Sequence, residues 1–94
     1  MKKVSSAAHL AQQVGIPKSR GVEAVIKAQL ITAVLREVTQ QQLTHTELAE
    51  RTGLPRSAVT GILSGSLQKI TIDRVLRLVE AVGLEPEIKL RRAA

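Results

Sequence analysis

Residues 48–63 read LAERTGLPRSAVTGIL, and the spacing of their apolar side chains decides how the chain folds. Leu48, Ala49, Leu54, Val59 and Ile62 are arranged around Gly53. Two short helices crossing at a fixed angle need this set of residue types. They need an inward apolar residue, a small one where the helices approach, and a glycine free to turn left-handed. One apolar residue must follow the turn, and two more must lie inside the second helix. Pro55 suits the opening of that second helix, because the amide it lacks is not used in a first turn. The helix is expected to run to about Ser64, to bury Val59, Ile62 and Leu63, and to stop at Gly65.

Upstream, Thr44 and Glu47 stand at capping-box spacing, so the first helix of the pair starts there. Before it, apolar residues recur at helical intervals from Val22 to Val38. Ala24, Ala28, Ile31, Val34/Leu35 and Val38 form one stripe, with Ile26, Leu30 and Ala33 beside it. An arc this wide predicts a long helix buried on two sides, against its own domain and against a partner. Gln40, Gln41 and Gln42 end the stripe.

Downstream, Thr71 reads as a cap with Asp73 in the positive first turn. The helix it opens is expected to bury Ile72, Val75, Leu76, Val79 and Val82 and to close at Gly83. Asp73 and Arg77 form an exposed i,i+4 pair worth about 0.3 kcal/mol.

After Gly83 the apolar period becomes two. In LEPEIKLRR, residues 84–92, Leu84, Pro86, Ile88 and Leu90 alternate with Glu85, Glu87, Lys89 and Arg91, which predicts a strand. Pro86 cannot donate to a ladder and one strand is not stable alone, so a two-stranded ribbon is expected. Folded antiparallel on a second copy about Ile88, the strand sets Glu87 opposite Lys89 and Glu85 opposite Arg91. Such opposite-charge pairs contribute roughly 0.2–1 kcal/mol each. Self-complementarity of this kind predicts a two-fold dimer through Leu84, Pro86, Glu87, Ile88, Lys89 and Leu90.

The stretch LAQQVGIPKS at residues 10–19 echoes LAERTGLPRS at 48–57. It repeats Leu10, Ala11, Gly15 and Ile16, but Gly21 and Ala24 fall where Val59 and Ile62 should recur. Without those anchors it cannot form a second copy, and the likeness is read as chance. The expected organisation is therefore a basic arm over 1–21 with at most a short helix, a domain over 22–83, and a dimerisation strand and tail over 84–94. The fold class is all-α, with four to five helices and a short C-terminal β-strand.

Ninety-four residues make one small domain, whose stability oligomerisation would help. The chain has no Cys, which excludes disulfides and thiolate chemistry. Fourteen Lys and Arg against eight acids give a net charge of +6. No acid occurs before Glu23 or between Glu50 and Asp73. Charge of this size and distribution points to a polyanionic partner. Aromatic content is zero, which disfavours RNA modules that stack bases and favours duplex DNA read through a groove. No apolar run reaches signal-peptide or membrane-span length, so a cytoplasmic location is expected.

LTHTELAERTGLPRSAVTGILSG followed by ITIDRVLRLVEAVGLEPEI resembles the Xre/Cro-like helix-turn-helix family, and within it the small Hig-type antitoxin branch. The likeness spans about residues 24–91. It implies a repressor that binds operators as a dimer, and in the branch one that neutralises a small basic ribonuclease toxin and autoregulates its operon. The other reading is a stand-alone regulator with no toxin partner.

With the second helix of the pair in the major groove, Arg56, Ser57, Thr60 and Gly61 face base edges. Arg56 is expected to read a guanine bidentately, the other reading being a phosphate contact that gives affinity without specificity. Gly61 stands where relatives commonly carry a polar reader, so either something approaches its backbone closely or the readout is thinner. Thr44, His45 and Thr46 open the first helix, where amides can grip a phosphate. His45 stands where the resemblance places a backbone-contacting Gln. Ser64, Ser66, Gln68 and Lys69 are the expected phosphate neighbours in the following loop.

Catalysis is not expected. His9 and His45 lack metal-binding partners at helical spacing, GILSGS lacks the ending of a phosphate loop, and no serine has a base and orienter in recognisable register. No cofactor is implied.

Overall fold

The computed structural model describes residues 18–65 and 70–93. Within them the chain forms four helices: α1 (Lys18–Gln41), α2 (His45–Thr52), α3 (Arg56–Leu63) and α4 (Ile72–Ala81). Residues 1–17 of the expected 1–21 arm, the fifth helix expected within it, and Ser66, Gln68 and Lys69 lie outside the described residues.

The long helix opens at Lys18, four residues before its apolar stripe begins at Val22. Gly21 weakens the first turns without stopping them, because good helix formers beyond it propagate the helix back through a single glycine. At its other end, Gln42 takes a left-handed φ of 54°. The Gln42 amide donates to the Thr39 carbonyl at 3.4 Å and the Leu43 amide to the Val38 carbonyl at 3.0 Å. This is the paired closure that satisfies the last carbonyls of a helix.

Among the described residues, the core covers one side of α1. Ile31 and Val34 are buried and Leu30 and Val38 pack beside them. Ala24 and the flanking Ile26 and Leu35 are exposed, the latter two at 42% and 40%. At 1.5 Å per residue α1 is about 36 Å long and α4 about 15 Å, so α4 cannot cover all of it. Lys27 occupies a core-facing position four residues before Ile31 and is 7% exposed. Its stem fills the stripe while its ammonium lies 3.6 Å from a Glu23 carboxylate oxygen, the usual compromise for a long cation over apolar surface.

The core is aliphatic. Leu48, Val59, Val75, Leu78 and Val34 are fully enclosed, with Leu54, Ile62, Ile70, Val79, Val82 and Ile31 around them. Burial of each such side chain contributes about 1.5–3 kcal/mol. Every helix supplies part of this core, so α2 and α3 are held against the α1–α4 pair rather than against each other alone.

Two expectations for α4 are corrected. Leu76 is 39% exposed and Ile72 only half-buried, while Leu78, not singled out from the sequence, is fully buried. The core-facing set is Val75, Leu78, Val79 and Val82, an i, i+3, i+4, i+7 stripe. Leu76 lies about 100° of helix rotation from Val75 and falls on its flank. The Thr71 cap is as expected, its hydroxyl accepting from the Arg74 amide at 3.3 Å. Asp73 and Arg77 pair at 3.3 Å on the exposed face. Gly83 closes the helix with φ 83°.

The tail departs from expectation. Leu84 packs on the core, but residues 84–93 form no strand, and Ile88 and Leu90 are 81% and 92% exposed. In a single chain a lone extended segment has nothing to satisfy its backbone groups, so strand pairing cannot arise there.

Candidate nucleic-acid interface

The turn between α2 and α3 is built from local bonds. Gly53 takes φ 74°, and its amide donates to the Ala49 carbonyl at 2.9 Å. The Thr52 hydroxyl donates to the Leu48 carbonyl at 2.7 Å and accepts from the Leu54 amide at 3.1 Å. Leu54 turns inward and is 7% exposed. Pro55 is the residue before the helix rather than its first member. Its carbonyl accepts from the Ala58 and Val59 amides at 3.0 and 3.2 Å, so the missing amide still costs nothing.

With Val59 at 0% and Ile62 at 3% exposure, the rotation of α3 is set. Arg56, Ser57, Thr60 and Ser64 are exposed, and Leu63 is only half-buried. Gly61 has ordinary helical backbone, is half-buried, and a Cβ added there would meet nothing within 4 Å. The Ser64 hydroxyl donates to the Gly61 carbonyl at 2.9 Å.

At the start of α2 the capping box is complete. The Glu47 amide donates to the Thr44 hydroxyl at 3.1 Å, and the Thr44 amide donates to a Glu47 carboxylate oxygen at 3.0 Å. That backbone bond, then the Thr44 side chain and the charge of Arg51, hold the Glu47 carboxyl below its usual range. The amides of His45 and Thr46 fall in the first turn, where a helix has no internal partner for them.

His45 and Thr60 meet across the turn, Nδ1 and Oγ1 sharing a hydrogen bond of 2.8 Å. The sequence singled out both residues but gave no sign of the contact, since no local spacing rule links positions fifteen apart. The structure thus brings His45, at the start of α2, to the outward side of α3. Pro86, Glu87, Ile88, Lys89 and Leu90 are exposed beyond the far end of α4.

A family model described as a helix-turn-helix domain matches residues 17–91. The chain belongs to the helix-turn-helix domain family. As a helix-turn-helix protein it is a DNA-binding protein of regulatory type. The matched description stops at the helix-turn-helix domain and assigns no Hig-type branch. No curated protein and no solved structure matches the chain. Among the described residues no helix is long and apolar enough to cross a membrane.

Proposed function

We propose that this helix-turn-helix protein is a non-catalytic transcriptional repressor that reads duplex operator DNA as a homodimer, with α3 in the major groove. The observation that carries the reading is the division of α3 into two faces. Val59 and Ile62 are enclosed, while Arg56, Ser57 and Thr60 stand in solvent. Arg56 sits in the first turn of α3, where a guanidinium can reach the O6 and N7 of a guanine together. The first-turn amides of α2, with Thr44 and Thr46, grip the flanking phosphate. The net charge of +6 supplies attraction to the duplex.

Dimerisation through the tail is part of the proposal. Ile88 and Leu90 are the most exposed large apolar side chains among the described residues. An antiparallel ribbon with a second copy pairs their backbones and places Glu87 against Lys89.

The test is selection of duplexes from a randomised pool, followed by binding of Arg56→Ala to the selected panel. The variant is expected to lose discrimination at one guanine position by about 1–3 kcal/mol. Uniform loss over the panel would return Arg56 to a phosphate role. A chain truncated before Leu84 is expected to sediment as a monomer.

The Hig-type resemblance carries the finer proposal that the repressor is the antitoxin of a type II pair and binds a small basic ribonuclease toxin. Co-expression with an adjoining small basic reading frame is then expected to restore growth that the frame alone arrests. Growth unaffected by that frame would leave a stand-alone regulator.

A further inference from the structure

We infer that His45 dictates the hydrogen-bonding polarity of Thr60, so that Thr60 accepts a hydrogen bond from an exocyclic base amine instead of donating one. The inference rests on the proposed docking of α3 in the major groove.

A free threonine hydroxyl is an ambiguous reader, because its proton rotates and its oxygen can donate or accept. Thr60 is not free, since its Oγ1 lies 2.8 Å from His45 Nδ1. Which atom owns the shared proton depends on the other ring nitrogen. A neutral imidazole carries one N–H, so a partner that demands a donor at Nε2 leaves Nδ1 as an acceptor.

The start of α2 creates that demand. His45 is the first residue of α2, beside first-turn amides that favour an anion. No group among the described residues bonds its Nε2. A phosphate oxygen seated there can only accept, so it draws the Nε2–H tautomer. In the neutral ring Nδ1 then accepts, Thr60 donates its single proton to it, and the Thr60 oxygen keeps only lone pairs for the groove, whereas an imidazolium would donate from both nitrogens and leave the Thr60 proton free. In the groove those lone pairs match the N6 amine of adenine or the N4 amine of cytosine and reject the O4 of thymine and the O6 of guanine. The other tautomer would aim a bare Nε2 lone pair at the phosphate and free the Thr60 proton. Contact with the DNA backbone therefore selects which base Thr60 prefers. His45 is in this sense a positioning residue for the reader.

Selection of duplexes from a randomised pool by the full-length protein, repeated with variants, tests this. The base position whose preference disappears in Thr60→Val, with unchanged melting temperature, is the one Thr60 reads, and Thr60→Ser is expected to retain it. Adenine or cytosine is expected there, favoured about five-fold, the worth of one net hydrogen bond. His45→Gln places an amide near the former Nε2 and not near Thr60. It is expected to lose that preference. His45→Asn places its amide near the former Nδ1 and out of reach of the phosphate, and is expected to bind every duplex more weakly. Thymine or guanine at the Thr60 position, no position that tracks Thr60, or a preference intact in His45→Gln would each overturn the inference while leaving the operator-binding reading in place. A wild-type chain that selects no duplex would remove both.

Discussion

The side-chain amide of Gln41, at the end of α1, donates to the carbonyl of Val82 at 2.9 Å and to a Glu37 carboxylate oxygen at 3.1 Å. This bond joins the C-terminal end of the long helix to that of α4, forty-one residues later. It fixes where the tail leaves the domain, because Gly83 and Leu84 follow at once. The Arg51 guanidinium acts alongside it, donating to the neighbouring Ala81 carbonyl at 3.0 Å. Gln41→Ala is expected to lower stability by about 0.5–1.5 kcal/mol, the net worth of one such bond. Urea unfolding monitored by helical circular dichroism measures it, and an unchanged midpoint would show that the bond ties nothing.

Leu48 is fully enclosed where α2 enters the core. Leu48→Ala removes three carbons and leaves a void that α1, α3 and α4 can only partly close. The expected loss is about 2–5 kcal/mol, a large share of what a small domain has. A loss under about 1 kcal/mol in the same unfolding assay would mean that the helices collapse freely onto the space, against a fixed crossing of α2 and α3.

Gly61 has neither a left-handed backbone nor a close neighbour to require it. Gly61→Ala is therefore expected to stabilise the free protein by up to about 1 kcal/mol, which in a domain of this size raises Tm by about 4–8 °C. Calorimetry checks the sign. If the duplex comes within a methyl group of α3, the same variant binds its operator more weakly although it folds better.

The Glu47 carboxyl is held below the ordinary glutamate value by the Thr44 amide. A carboxyl depressed in the folded state stabilises the fold above the unfolded-state value and ceases to do so as pH falls through the folded one. The wild type is thus expected to lose more stability than Glu47→Gln on acidification below about pH 4.5. Parallel slopes for the two proteins across that range would show that the capping carboxylate contributes nothing.

Much of this was legible in the sequence because it depends on short-range rules. A capping box spans four residues, a glycine after a helix acts on the turn it closes, and Leu48, Leu54, Val59 and Ile62 reveal two helices by spacing alone. Reading failed where a choice between neighbouring faces had to be made. Leu76 and Leu78 are equally apolar, and the rotation of α4 against the rest of the core decides which is enclosed. Lys27 was unreadable as a core residue because its charge hides an aliphatic stem.

The residue pattern by itself determined the helix-turn-helix unit, the caps that bound it and the outward row on α3, since each follows from periodicity and backbone chemistry within a few residues. Tertiary structure alone decided that His45 meets Thr60 and that the end of α4 is tied to α1 through Gln41. Those contacts depend on crossing angles between helices, which arise from the packing of Val34, Leu48, Val59 and Leu78 together and are written in no single segment.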